Sequence, residues 1–303
     1  MKLSEAYTHF EMHYLLDKDR SAKTISEYRG GLFGRNGFIK IMGDLEINQI
    51  GLDHIIAWKL HMRRQGIAAA TINHMLSGVR WLLKWLGENE HRVLDWKKVT
   101  FDKEEQNKPH TVLTLDEMRK LIDATHSLRD KAIISLFFGT GCRSAEIIGL
   151  DREQWEAAVL VNHAEVVQGA EPVWEIYVEG KNGKYRPVCM YQSVKSIVDA
   201  YLESRPDRFR PLFISQQNRR IHFNTVGKML HEASRQAGLT KRVTQHVLRH
   251  TYATEMGANG MPMPVLAYNL GHANATTTAK IYTHINALHA RRSYAQAHPV
   301  KLS

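Results

Sequence analysis

The chain has 303 residues, with 41 Lys and Arg against 31 Asp and Glu and a formal net charge of +10. That surplus points to a large polyanion as partner, and nucleic acid comes before a membrane because no apolar run is long enough to span a bilayer. Hydrophobic residues make up 43%, enough for one large or two ordinary cores.

The only two cysteines, Cys142 and Cys189, form no CxxC pair. This argues against a structural zinc site and fits a reducing, cytoplasmic setting. Met1 leads into polar sequence rather than an apolar signal core, which agrees with that setting.

In chain order, the first hundred residues have helical spacing. A helix over 3–16 would place Leu3, Tyr7, Phe10, Tyr14 and Leu15 on one face. The capping-box form of Thr24-Ile25-Ser26-Glu27 would open a second helix. Asp53 would cap a third, closing at Gly66. Thr71 would cap a fourth, with Ile72, Leu76, Val79 and Leu83 inward and Gly87 as its stop. The expectation is a compact helical bundle over 1–102. Polar, charged sequence containing Pro109 marks a linker over 103–112, and a second domain then occupies 113–303.

The second domain opens on another capping box, Thr114-Leu115-Asp116-Glu117. An apolar helix over 129–138 then ends at Gly139-Thr140-Gly141. A strand is expected near 154–161, followed by strands over 173–178 and 185–190. The last two are joined by Lys181-Asn182-Gly183-Lys184, where Asn-Gly signals a tight hairpin. Helices follow over 193–203, 225–236, 244–256 and 264–270, with a last one from Thr276. The expected fold class is therefore mainly α with a small β-sheet (α+β).

Several residues of this domain suit chemistry at a phosphodiester. The five-coordinate transition state gains negative charge, so it needs fixed cationic donors, an in-line nucleophile and a proton for the leaving oxygen. Arg143 stands just before a helix start, where Ser144 is the expected cap, and its planar fork matches two phosphate oxygens. His246 and Arg249, three apart on one helix, share a face. His272 follows the glycine of Leu270-Gly271, and Tyr282 lies ten residues further on. A phenol with an ordinary pKa near 10 needs cationic neighbours or a base to attack. Lys181, at the hairpin tip, can reach into a groove or deliver a proton, and Lys184 and Arg186 on the same arm would hold DNA backbone.

Taken singly, each residue also fits a plainer role. Arg143 fits a surface arginine beside a cap, Lys181 an exposed basic turn, and Tyr282 a half-buried helix aromatic. His250, four after His246, fits either half of a metal pair or a packed histidine, the latter better because no third ligand stands at a suitable spacing.

Their joint order is more specific. The chain resembles the tyrosine recombinase, or phage integrase, family along nearly its whole length, and is similar to its short Xer-like members. The resemblance rests on Arg143 and Glu146 in a TGxRxxE context and on Gly180-Lys181-Asn182-Gly183-Lys184-Tyr185-Arg186 in the hairpin. It rests further on His246, Arg249 and His250 in HxLRH, His272 in LGH and Tyr282 in YTH. It implies Arg143, Lys181, His246, Arg249, His272 and Tyr282 as the catalytic set, with Tyr282 as nucleophile, Lys181 as general acid and His246 assisting proton transfer. It also implies a SAM-like N-terminal core-binding bundle and a catalytic domain gripping DNA as a clamp. No metal, nucleotide or other cofactor is implied. The implied partners are double-stranded DNA and a homo-tetramer at synapsis (or pairing with a paralogue), with no membrane. An additional N-terminal arm-site domain is not expected.

Two departures stand out. The tyrosine of the family often falls nine residues after the LGH histidine, against ten here, and Ala267-Tyr268 occupies a stretch that often carries glutamine, so Tyr268 is a decoy expected to be packed. In the N-terminal bundle, Lys59, Arg63, Arg64, Arg80 and Lys84 are candidates for phosphate contacts. A type IB topoisomerase, which shares this chemistry, and a non-catalytic DNA-binding regulator are the competing classes. Neither a Walker loop nor an evident carboxylate cluster points to nucleotide hydrolysis or two-metal cleavage.

Overall fold

The computed structural model describes residues 1–18, 20–103, 111–161, 171–180 and 183–271. The chain forms two compact units, Met1–Lys108 and Pro109–Ser303. The described part is mostly helical, with one small antiparallel sheet.

The first unit is built from α1 (Leu3–Phe10), which runs on through a π-helical stretch (Glu11–Leu16), α2 (Ala22–Phe33), the short α3 (Phe38–Met42), α4 (Leu52–Arg64) and α5 (Ala69–Glu88). Its core is apolar and aromatic, with Tyr7, Phe10, Phe38, Trp58, Leu76 and Leu83 fully enclosed. Each such side chain contributes about 1.5–3 kcal/mol by leaving water.

Three helix starts differ from expectation. Ser21, not Thr24, caps α2, and Thr24 donates its backbone N–H to the Ser21 hydroxyl at 3.2 Å. Gly51 precedes α4, so Asp53 falls in its first turn. Ala68 precedes α5, so Thr71 lies inside it, and the helix continues through Gly87. In each case the residue with extended backbone lies two or three positions earlier, and that geometry decides the cap. Gly31 stays inside α2, and Gly78 inside α5, because the two helices approach very closely. A Cβ on Gly31 would sit 2.4 Å from the Met75 carbonyl oxygen, and one on Gly78 would sit 2.9 Å from that of Tyr28.

The second unit contains α6 (Leu115–Asp123), α7 (Leu128–Thr140), α8 (Ser144–Gly149), α9 (Arg152–Glu156), β1 (Val159–Leu160), β2 (Val173–Glu179), β3 (Tyr185–Tyr191), α10 (Gln192–Glu203), α11 (Phe223–Gln236), α12 (Gln245–Ala258) and α13 (Met263–Leu270). The capping box of Thr114 forms as expected, with Glu117 N–H donating to the Thr114 hydroxyl at 3.2 Å and Thr114 N–H to the Glu117 carboxylate at 2.8 Å. Helix α7 is buried along 132–140 and forms the centre of the unit, with α10, α12 and β3 packed around it. A helix apolar on every side belongs in a core.

The strand expected near 154–161 is only Val159–Leu160, because Gln154 lies in α9 with its side chain accepting from Asp151 N–H at 2.9 Å. The sheet order is β1-β2-β3, all antiparallel. The β2–β3 hairpin runs in unbroken register from Val173 opposite Tyr191 to Glu179 opposite Tyr185. Its last ladder bond, Gly180 N–H to the Lys184 carbonyl at 2.8 Å, leads into the turn.

Candidate active site

The site begins where α7 stops. Gly141 takes the left-handed conformation, φ 62°, and a Cβ there would lie 2.2 Å from the Tyr252 ring, so the TGxR stretch requires glycine at this point. The turn delivers Arg143 to the start of α8. Arg143 itself, not Ser144, is the capping position, and its backbone N–H donates to Glu146 Oε2 at 2.7 Å. Its guanidinium Nη1 donates to Glu146 Oε1 at 2.9 Å, and its Nη2 to the Gly271 carbonyl.

Thr244 caps α12, accepting from Val247 N–H at 3.2 Å. Five residues along, Arg249 is buried, 9% exposed. Its Nη1 donates to the Gly141 carbonyl at 2.7 Å and its Nη2 to the Leu270 carbonyl at 2.6 Å. Arg143 and Arg249 are thus both moored to carbonyls at the end of α13, where the helix dipole favours cations. Burial first, and the neighbouring Arg143 charge second, push the Arg249 pKa down to about 10.

Arg186 departs from its expected place on the outer arm. Opposite Val178 on the hairpin, its side chain turns inward and is only 12% exposed. Its Nη2 donates to Glu146 Oε2 at 2.7 Å and approaches Cys142 Sγ at 3.9 Å. Lys184 remains exposed on the arm. Glu146, itself buried, therefore bridges two arginines, a role the sequence reading had not given it. The available signal was its position three after Arg143 at a helix start. Three guanidiniums and one carboxylate leave a local charge of +2, which suits a phosphodiester whose transition state approaches two negative charges. Gly271 closes the cluster at φ 63°. A Cβ there would meet Arg186 Nε at 2.4 Å and Arg143 Nη1 at 3.0 Å.

His246 lies one turn before Arg249 on α12 but is exposed, at an open groove of about 600 Å³ shared with Phe223, Asn224, Lys228, His231 and Arg242. His250 is half-buried, and no group of His, Cys, Asp and Glu among the described residues is arranged to hold a metal. Tyr268 packs, half-buried, against the cluster of Val265 and Leu266, and burial raises its pKa. Lys181, His272 and Tyr282 lie outside the described residues. Their immediate neighbours do not: Gly180 stands beside Glu146, and Gly271 stands against Arg143 and Arg186.

In the first unit, Lys59 and Arg63 are both tied to the buried carboxylate of Asp102, at 2.5 and 2.8 Å. Asp102 also exchanges backbone bonds with the Asn73 amide at 2.7 and 2.9 Å. Arg80 donates to the Val99 carbonyl and lies over the rings of Trp96 and Phe101. Lys84 lies over Trp81 and Trp96. Arg64 is exposed. No described helix is long and apolar enough to cross a membrane.

Family comparisons agree with this architecture. The model of the phage integrase family matches residues 111–289, and that of the phage integrase N-terminal SAM-like domain matches residues 8–90. The chain belongs to the phage integrase family, the tyrosine recombinases, which are site-specific DNA strand transferases. It is 28% identical over 298 residues to tyrosine recombinase XerC of Escherichia coli (strain K12 / DH10B), covering 95% of this chain and 94% of the relative. Two solved structures share the fold. One is the Tn1549 transposon integrase in complex with transposon right end DNA (20% identity, 96% of this chain and 98% of that one, TM-score 0.69). The other is a lambda integrase dimer bound to a COC′ core site (18% identity, 91% and 97%, TM-score 0.67).

Proposed function

We propose that this recombinase acts on double-stranded DNA through a 3′-phosphotyrosyl intermediate, with Tyr282 as the nucleophile. The Tyr282 oxygen attacks the scissile phosphorus as its proton passes to His246, the P–O5′ bond breaks, and Lys181 delivers a proton to the departing 5′ oxygen. The 5′ hydroxyl of a partner strand then attacks the phosphotyrosyl ester and releases the phenol. The ester conserves the bond energy, so the cycle needs no nucleotide hydrolysis.

The observation that carries this reading is the Arg143–Glu146–Arg186–Arg249 cluster, whose surplus of positive charge matches the phosphate in flight. Arg143 and Arg249 hold the non-bridging oxygens, with His246 and His272 completing the set and assisting proton movement. Lys184, Arg64 and other exposed cations grip flanking backbone. A tetramer, of this chain alone or with a paralogue, joins two duplexes in the cytoplasm. The outcome is chromosome-dimer resolution or integration and excision of a mobile element.

A nicked suicide substrate carrying the cognate site tests this. Wild-type protein forms a covalent adduct at the 3′ end, while Tyr282→Phe binds the same DNA and forms none. An adduct that persists in Tyr282→Phe moves the nucleophile elsewhere, and relaxation of any plasmid without a defined site identifies a topoisomerase instead.

A further inference from the structure

We infer that Arg186 is a positioning residue for strand transfer, acting through Glu146 to keep Arg143 available to the phosphate. Glu146 is buried beside Arg143 and accepts from both its backbone N–H and its guanidinium. A carboxylate in that position alone would neutralise the cation that the reaction needs. Arg186 Nη2 takes Glu146 Oε2 at 2.7 Å and supplies the compensating charge. The carboxylate is then shared, and Arg143 is oriented without being cancelled.

A second observation points the same way. Arg186 Nε and Nη1 are buried and find no hydrogen-bond partner among the described residues. Among the described residues its side-chain bonds run only to Glu146 and Cys142, so its charge is directed at the carboxylate. The third is steric. Gly271, the glycine of LGH, leaves no room for a side chain: a Cβ there would meet Arg186 Nε, Arg186 Cδ and Arg143 Nη1. The backbone at Gly271 is thereby packed on the same pair of arginines.

The inference rests on the strand-transfer reading, and single-turnover cleavage of the nicked suicide duplex separates the two. Absence of any wild-type adduct sinks the reading itself. A wild-type adduct with unchanged cleavage by Arg186→Gln sinks only the inference. The expected result is that Arg186→Gln cleaves about 100-fold more slowly, as misplaced catalytic groups do, with unchanged DNA affinity and salt dependence. Arg186→Lys, which keeps the charge but loses the fork, is expected to cleave about tenfold more slowly than wild type. Should Arg186→Gln not fold, Arg186→Lys carries the test, and a wild-type rate there overturns the inference.

Two measurements discriminate direct contact from positioning. If Arg186 acts through Glu146, the Arg186→Gln/Glu146→Gln double variant cleaves no more slowly than the slower single variant. Multiplying losses, or a salt slope for DNA binding reduced by about one, would make Arg186 a phosphate ligand in its own right and overturn the positioning role.

Discussion

Arg249 Nη2 donates to the Leu270 carbonyl at 2.6 Å, joining the middle of α12 to the last residue of α13. Its Nη1 reaches the Gly141 carbonyl at 2.7 Å, so one planar side chain holds together the ends of two helices and the turn that presents Arg143. A lysine cannot span both acceptors. Arg249→Lys is expected to lower single-turnover cleavage at least about 100-fold and to destabilise the fold by about 1–3 kcal/mol, since one buried carbonyl loses its donor. Quench-flow cleavage and urea unfolding check this, and a variant that matches wild type in both removes Arg249 from the site. Even with its pKa drawn down from the ordinary arginine range to about 10, the guanidinium is protonated in both folded and unfolded chains below about pH 9. It therefore contributes no pH dependence of stability there, and a decline in cleavage between pH 8 and 9 belongs to another group.

Gly271 tests the steric fit. An alanine at φ 63° costs about 1 kcal/mol in backbone strain, and its Cβ would displace Arg186 and Arg143. Gly271→Ala is expected to remain folded, with a small shift in thermal midpoint, and to lose cleavage by about 100-fold. Wild-type cleavage by this variant would show that the two guanidiniums yield freely.

The candidate DNA-contacting cations of the first unit divide by environment. Lys59 is mostly enclosed and paired with Asp102, whereas Arg64 is exposed. Arg63 still holds the Asp102 carboxylate when Lys59 is removed, so Lys59→Ala is expected to lower stability by about 1.5–3 kcal/mol, the loss of one bond to a charged group. Arg64→Ala is expected to leave stability within about 0.5 kcal/mol and to reduce the salt slope of DNA binding by about one. Thermal melts and binding at graded salt decide; a stable Lys59→Ala chain with a reduced slope would reassign Lys59 to the phosphate backbone.

Asp207 gives a pH signature. Hydrogen bonds from Arg205, at 3.0 Å from Nε and 2.5 Å from Nη2, draw its carboxyl pKa down to about 2. The folded value lies below the unfolded one, so the stabilisation is fully present above about pH 4 and is lost as pH falls towards 2. Wild type is expected to lose thermal stability across that interval more steeply than Asp207→Asn. Equal slopes would mean that the pair contributes nothing to acid lability.

Much of the fold was legible because local chemistry had one solution. The Thr114 box, Gly183 in the β2–β3 hairpin and the glycine stops after α7 and α13 each pair a backbone geometry with a residue type that suits it. The errors fall where several solutions were locally possible. Ser21 and Thr24, Gly51 and Asp53, Ala68 and Thr71, and Arg143 and Ser144 all compete for helix starts within one turn. Side-chain preference favours Asp53 over Gly51 and Thr71 over Ala68, but the entering chain direction sets which residue is extended and overrides it. Likewise Gly31 and Gly78 stay inside helices, where glycine is unfavourable, because α2 and α5 touch at those points.

The residue types and order of the motifs determined by themselves that this chain carries phosphodiester chemistry, because Arg143, His246, Arg249, His272 and Tyr282 in that succession have few other uses. Only the tertiary structure decided that Arg186 turns inward and that Glu146 joins it to Arg143. Alternation along a strand offers two faces, and the choice between them fell to a buried carboxylate forty residues away in sequence that needed a second cation.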